Sequence, residues 1–240
     1  LIKFKELNLS EQQINEEFIF DLNFLPNLQK LSLRECNLKG LLKLNAPNLK
    51  SLNISNNKLN DLILDSPKLW NINCSHNEIK KINILSNSIS CFVLDNNKMS
   101  NFDFLLPKLK IIGASKNPLI KMNLSSSREL TQIVLNEVDN LSELILPKSE
   151  LKIIKINNSK IEKLTIKNTD KLDYLDLKFN KLMILNFDIK KGHEFAMFEL
   201  DINSKMLEFK HKNNLYLYIK NYTGYNPILL QESRLTKRLF

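Results

Sequence analysis

The sequence predicts a repeat solenoid of the α/β type, with one short parallel β-strand laid down every 20 or 21 residues. Three observations predict it. Apolar residues, above all Leu and Ile, recur in one register along most of the 240-residue chain. An Asn, or a small residue in its place, stands at a fixed step after nearly every apolar pair. Each repeat is also too short to hold a strand, a turn and a full helix, so most of it must be extended.

The register can be followed in order. Phe4, Leu7 and Leu9 fit a degenerate first repeat. Ser10-Glu11-Gln12-Gln13 then has the form of a helix capping box, with Ile14, Phe18, Leu22 and Leu25 behind it at near-helical spacing. Residues 1–27 are therefore read as a degenerate repeat and helical cap. From Leu28 the pattern L-x-x-L-x-L-x-x-N-x-L becomes regular. It begins at Leu28, Leu49, Leu69, Ile89, Leu109, Leu130, Leu151 and Leu172 and defines an array over 28–190. The tail holds degenerate repeats over 191–225, marked by Phe195, Met197, Leu200, Leu217 and Ile219. Asn226-Pro227 then pairs an N-cap residue with Pro at a first helical position, ahead of Ile228, Leu235 and Leu239. Residues 226–240 are thus read as a terminal helix or the start of a following domain. The chain opens on Leu1-Ile2-Lys3 without Met, as expected of a piece of a longer protein.

Each column has a physical role. In the x-L-x-L-x segment side chains alternate, so the Leu residues point into the solenoid and their neighbours point out. The Asn column (Asn57, Asn77, Asn97, Asn117, Asn180) falls where the chain leaves the strand. A buried amide there can satisfy backbone groups of both kinds. Cys36 occupies the same column and is expected to be a structural thiol. Val138 breaks the column, and between Leu135 and Leu141 this repeat has one residue more than its neighbours, so a bulge is expected, with Asn136 or Asn140 re-aimed to replace the lost bonds. In the second half of the repeat, stretches such as Leu62-Ile63-Leu64-Asp65 alternate with period two and predict extended or short 3₁₀ structure.

Composition excludes several classes. The chain is 43% hydrophobic and 25% charged, with four Gly and seven Pro, which is too apolar for disorder and too Gly-poor for low-complexity sequence. No apolar run reaches the roughly 18 residues needed to span a bilayer. There is no G-x-S-x-G, phosphate-binding Gly loop, H-E-x-x-H or paired C-x-x-C, and His76, His193 and His211 lie far apart. No catalytic residues, metal or cofactor are therefore expected. Three unclustered cysteines point to a reducing compartment. The net charge of +9 is uneven: residues 1–147 carry 17 basic and 15 acidic side chains, and residues 148–240 carry 18 and 11. Nucleic-acid binding is disfavoured, because most of the positive charge is Lys mixed with acids.

On these residues the chain resembles the leucine-rich repeat family, from Leu28 to about Ile189. The resemblance implies a curved parallel sheet whose concave face recognises a protein partner. The short repeats look like those of bacterial leucine-rich proteins, including secreted effectors that act inside host cells. The chain departs from the commonest such pattern, which carries paired L-P motifs. The expected setting is the cytoplasm, or a host cell entered by secretion, and the expected state is a monomer. Two alternatives remain at this point. One is the substrate-recognition region of an enzyme, such as a ubiquitin ligase, whose catalytic domain lies outside the chain. The other is an anionic-surface or nucleic-acid binder acting through the basic C-terminal half.

The outward columns of the strands supply the expected binding residues. Early repeats present small polar groups, and the middle ones an apolar island of Cys91, Val93, Ile111, Val134 and Ile153. Late repeats present Lys155, Tyr174, Asp176 and Lys178, joined by Phe198, Tyr216 and Tyr218 where the degenerate repeats keep register. The plainer role for those last three is the core of an irregular cap. Exposed apolar and aromatic groups on such a face are the material of binding hot spots.

Overall fold

The computed structural model describes residues 4–14, 20–22, 24–182, 184–187, 197–200, 208–210, 218–219 and 228–229. They fall into two compact units. The first comprises Leu1–Ser100 and Leu105–Pro118, the second Asn101–Phe104 and Leu119–Phe240.

In chain order the strands are β1 (Glu6–Asn8), β2 (Phe20–Asp21), β3 (Lys30–Ser32), β4 (Lys39–Asn45) and β5 (Ser51–Asn53). Next come β6 (Lys58–Asp65), β7 (Asn71–Asn73), β8 (Lys81–Ile84), β9 (Cys91–Val93), β10 (Asn101–Asp103) and β11 (Ile111–Gly113). All but β10 belong to the first unit. There the odd-numbered strands run parallel, β1 through β11, one per repeat. The register is that of the sequence columns: Leu31 pairs with Leu52, Leu52 with Ile72, Ile72 with Phe92 and Phe92 with Ile112. These five side chains are buried, as are Leu42, Leu44, Leu62 and Leu64 from the second parallel sheet, β2-β4-β6-β8. Full burial of each Leu or Ile contributes roughly 2 kcal/mol, so a column of five is a substantial part of the core. The second half of the repeat is thus mainly true strand in this unit. Its one irregularity falls at Gly40, whose φ of +69° lets β4 pair Gly40 with Leu59 and Leu41 with Asp61, leaving Asn60 as the extra residue of a bulge.

The second unit continues with β12 (Lys121–Asn123), β13 (Gln132–Val134), β14 (Glu143–Ile145), β15 (Ile153–Lys155) and β16 (Lys163–Ile166). After them come β17 (Tyr174–Leu177), β18 (Ile184–Phe187), β19 (Met197–Leu200), β20 (Glu208–Lys210), β21 (Tyr218–Ile219) and β22 (Ile228–Leu229). Short strands β13, β15, β17 and β19 are again parallel neighbours, and β10-β12-β14 and β16-β18-β20 form the other layer. Each unit is a parallel β-solenoid. Strands cover every centre that the 20–21-residue spacing predicts, from Ser32 to Asp176.

After each short strand the chain turns through a residue in the left-handed region: Glu35, Asn56, His76, Asn96 and Lys116 in the first unit, Glu137, Asn158 and Phe179 in the second. The Asn column follows. Asn97 shows its use: Nδ2 donates to the carbonyls of Cys74 and Leu94, both at 3.0 Å, and of Asp95 at 3.3 Å, while Oδ1 accepts from Ile79 N at 3.0 Å. Asn57, Asn77 and Asn117 repeat the pattern one repeat apart. Each amide therefore ties a turn to the repeat before it. Cys36 is fully buried in this column, its thiol donating to Leu9 O at 2.9 Å and pushed up in pKa by burial.

Two expectations are corrected. Residues 10–14 are not helical: Glu11 has a φ of +65°, and the N–H groups of Leu9, Glu11 and Ile14 donate to Ser32 O, Arg34 O and Cys36 O of the next repeat. Ser10 Oγ shares a proton with Ser32 Oγ at 2.8 Å instead of capping Gln13. Sheet pairing here outcompetes the local capping motif; Phe18 lies outside the described residues. At the other end Ile228–Leu229 pairs antiparallel with Tyr218–Ile219, so the segment after Pro227 starts as strand, and residues 230–240 lie outside those described. No helix occurs among the described residues. At Val138 an apolar side chain interrupts the Asn column. Val138 is buried, and its N–H donates to Ser159 Oγ of the following repeat at 3.4 Å. Asn140 is exposed, and Asn136 Oδ1 accepts from Asn157 N at 3.3 Å.

Candidate functional site

The outward face of the first unit is built by strict alternation on three-residue strands. In β9, Phe92 points into the core and has no exposed surface, so Cys91 and Val93 on either side must face out; both are half-buried. Register then sets Cys91 beside Ile111 and Val93 beside Gly113. Ile111 is 36% exposed, a high value for an isoleucine in a sheet. These three side chains form an apolar patch, preceded along the sheet by Asn71 and Asn73, then Ser51 and Asn53.

Hydrogen bonding at the strand ends follows a rule that the sequence columns did not disclose. In the middle outward column, Asn53 and Asn73 each accept at Oδ1 from the N–H two residues on, Ser55 and Ser75, at 3.1 Å. Asn8 does the same for Ser10 at 3.0 Å, and Asp176 for Lys178 at 3.3 Å. These are Asx turns closing the strand. Where the middle column holds Gly113 or Lys155, neither can accept, and the preceding repeat supplies the acceptor: Asp95 Oδ1 takes Ser115 N at 2.6 Å and Asn136 Oδ1 takes Asn157 N at 3.3 Å. The Asp95 carboxylate consequently lies across Gly113, 3.1 Å from where a Cβ would stand. The signal in the sequence is the N-x-S spacing at Asn53-Ile54-Ser55 and Asn73-Cys74-Ser75.

In the second unit β15 and β17 place Ile153 beside Tyr174 and Lys155 beside Asp176. Gln132 and Val134 stand one strand earlier, with Val134 half-buried. Lys155 Nζ sits 4.6 Å from the centroid of the Tyr174 ring, a cation–π contact that holds both side chains on the face. Asp176 departs from its expected place as an exposed contact. It is only 4% exposed, accepting from Asn157 Nδ2 at 2.7 Å, and Lys178 Nζ lies 4.0 Å away. Its carboxylate serves the strand end. Register pairs Phe198 with Leu175 and Met197 with Tyr174. Tyr218 lies in the antiparallel β21, and Tyr216 lies outside the described residues.

The remaining chemistry is structural. All three cysteines are free thiols. Cys74 is fully buried, and desolvation pushes it up to about 12; Cys91 is raised for the same reason but reaches the surface. No cluster of metal-ligating side chains occurs among the described residues, and no described helix is long and apolar enough to cross a membrane. Asn96 Nδ2 donates to His76 Nδ1 at 2.9 Å, on the surface ladder of left-handed residues. Several lysines are paired across repeats, Lys121 with Glu143 at 2.9 Å and Lys171 with Glu150 at 2.7 Å.

Parallel sheets, a 20–21-residue step and a buried amide tying each turn to the last define a leucine-rich-repeat fold. The chain has that fold, and solved structures bear it out. It is similar to YopM from Yersinia enterocolitica WA-314, with a TM-score of 0.57 and 20% identity over 78% of this chain and 47% of the other. The LRIM1/APL1C complex matches with a TM-score of 0.52 and 18% identity over 76% of this chain and 43% of that one. The APL1 leucine-rich repeat domain matches at 0.50 and 18% identity, over 78% and 57%. The chain thus spans less than two thirds of each of these proteins. No family model matches the sequence, and no curated protein matches it at the sequence level.

Proposed function

We propose that the chain is a protein-recognition module that grips its partner with the outward side chains of its short strands. The observation that carries the reading is the apolar patch of Cys91, Val93 and Ile111, surface-reaching residues on a sheet whose inward positions are fully buried. Alternation leaves them no role in the core of their own unit, and apolar groups surrounded by a polar rim are where association gains most. In the second unit Val134, Ile153 and the Lys155–Tyr174 pair offer a contact of the same kind. Lys178 would act chiefly on the rate of encounter. The free thiols support a reducing compartment, and the short repeat together with the likeness to a Yersinia protein supports a bacterial protein working in the cytoplasm or in a host cell.

The test is capture of partners on wild type and on two single variants, each checked by a thermal melt. Val93→Asp and Val134→Asp should each stay folded at a cost of about 1 kcal/mol, since both side chains are half-buried but point away from the core. Proteins captured by wild type should be lost on at least one of them. Retention of every partner by both folded variants would move the interface off this face.

A further inference from the structure

Asn53 and Asn73 hold a second piece of chemistry, resting on the reading that this face binds a protein. Each Oδ1 accepts two bonds, from the N–H of Ser55 or Ser75 at 3.1 Å and from the same serine's Oγ at 2.7 Å. An N–H can donate only to the amide oxygen, so the network fixes which end points inward. Both lone pairs are then filled, and Nδ2 is left as the outward end of each amide. Ser55 and Ser75 are themselves buried, so their remaining acceptor capacity is covered. The two asparagines pair in register on β5 and β7, about 4.8 Å apart as neighbouring strands are.

The fold does not require an amide here. Asp176 stands in the same column of the second unit and closes its own strand end with a carboxylate oxygen, accepting from Lys178 N. What Asn53 and Asn73 provide beyond that is donors. The outward residues of these two strands, Ser51, Asn53, Asn71 and Asn73, include no charge. We infer that the Nδ2 groups of Asn53 and Asn73 form a donor pair that selects a partner segment presenting an Asp or Glu carboxylate, with the next apolar side chain of that segment lying on Val93. A carboxylate is the one side-chain group that only accepts, and its two oxygens can each take one donor of a pair at this spacing. Val93 is the next residue in the column, beside Asn73. In an extended segment, side chains on one face repeat at about 7 Å. The acid and the apolar residue should therefore stand two positions apart.

The experiment selects peptides from a random displayed library on the intact chain, then measures the enriched peptides as synthetic ligands. The expected motif is Asp or Glu two positions from Val, Ile, Leu, Met or Phe. Changing that acid to its amide should weaken binding to wild type at least tenfold. The double variant Asn53→Asp/Asn73→Asp keeps the inward acceptors and should stay folded, with a melting temperature lowered by the two neighbouring carboxylates, and it should bind the acidic peptide at least tenfold more weakly. Enriched peptides without an acid at that step, or equal binding by the double variant, would overturn the donor pair. If such peptides still fail on Val93→Asp, the binding face stands and only the carboxylate assignment falls. If Val93→Asp binds them unchanged, the face itself is wrong.

Discussion

Asn97→Ala is expected to cost the first unit about 2–4 kcal/mol, although it removes only an amide from the protein. The truncation strips partners from the carbonyls of Cys74, Leu94 and Asp95 and from the N–H of Ile79. These groups lie around a side chain that is 6% exposed, so water replaces the lost bonds poorly, and each unmet group costs of the order of 1 kcal/mol or more. Because the amide joins one repeat to the one before it, the loss falls on the contact between repeats, where a solenoid's cooperativity lies. Urea unfolding checks this. The same change at Asn60, exposed on the bulge of β6, should stay within about 0.5 kcal/mol of wild type. Equal effects at the two positions would deny the ladder its role.

The other large effect is a contrast between adjacent residues. Leu135→Asp should unfold the second unit or cost it roughly 4 kcal/mol or more, because the new carboxylate replaces a fully buried side chain and finds no cation inside. Val134→Asp, one residue earlier, turns the same carboxylate into water. The difference rests on strand alternation alone, since Ile133 and Leu135 are both fully buried while Val134 is half-exposed. Thermal melts of the two variants decide it, and similar melting temperatures would mean that the register of β13 is wrong.

Much of this fold was legible because one sequence pattern encodes two physical periods at once. The two-residue alternation says which side chains face in, and the 20–21-residue step says which of them stack. Together they place Leu31, Leu52, Ile72, Phe92 and Ile112 in one column, and Cys91 and Val93 on the other face. What the pattern hid is where one residue type serves two purposes. Ser10-Glu11-Gln12-Gln13 spells a capping box, but the same N–H groups find better partners in the neighbouring repeat, which no local motif can reveal. Asp176 reads as an exposed acid, yet its column also closes strand ends, and that need draws it under the surface. The degenerate repeat around Phe198 shows how much rests on register, since a shift of one residue in a strand exchanges its two faces. The lapse at Val138 was visible, but not that its own N–H is met by Ser159 Oγ, 21 residues on.

The central claim is that partners bind on the outward face of the short strands, and Cys91 allows it to be tested without any mutation. Of the three thiols, Cys36 and Cys74 have no exposed surface, whereas Cys91 reaches the face beside Val93 and Ile111. Burial raises its pKa, so reaction quickens as pH rises toward the raised value. Treatment of the native protein with a bulky maleimide at about pH 8.5 should therefore modify one thiol per chain. The measurement is the affinity of the modified protein for a partner captured by wild type. At least a tenfold loss with an unchanged melting temperature is expected; unchanged affinity of a fully modified, folded protein would place the binding surface elsewhere.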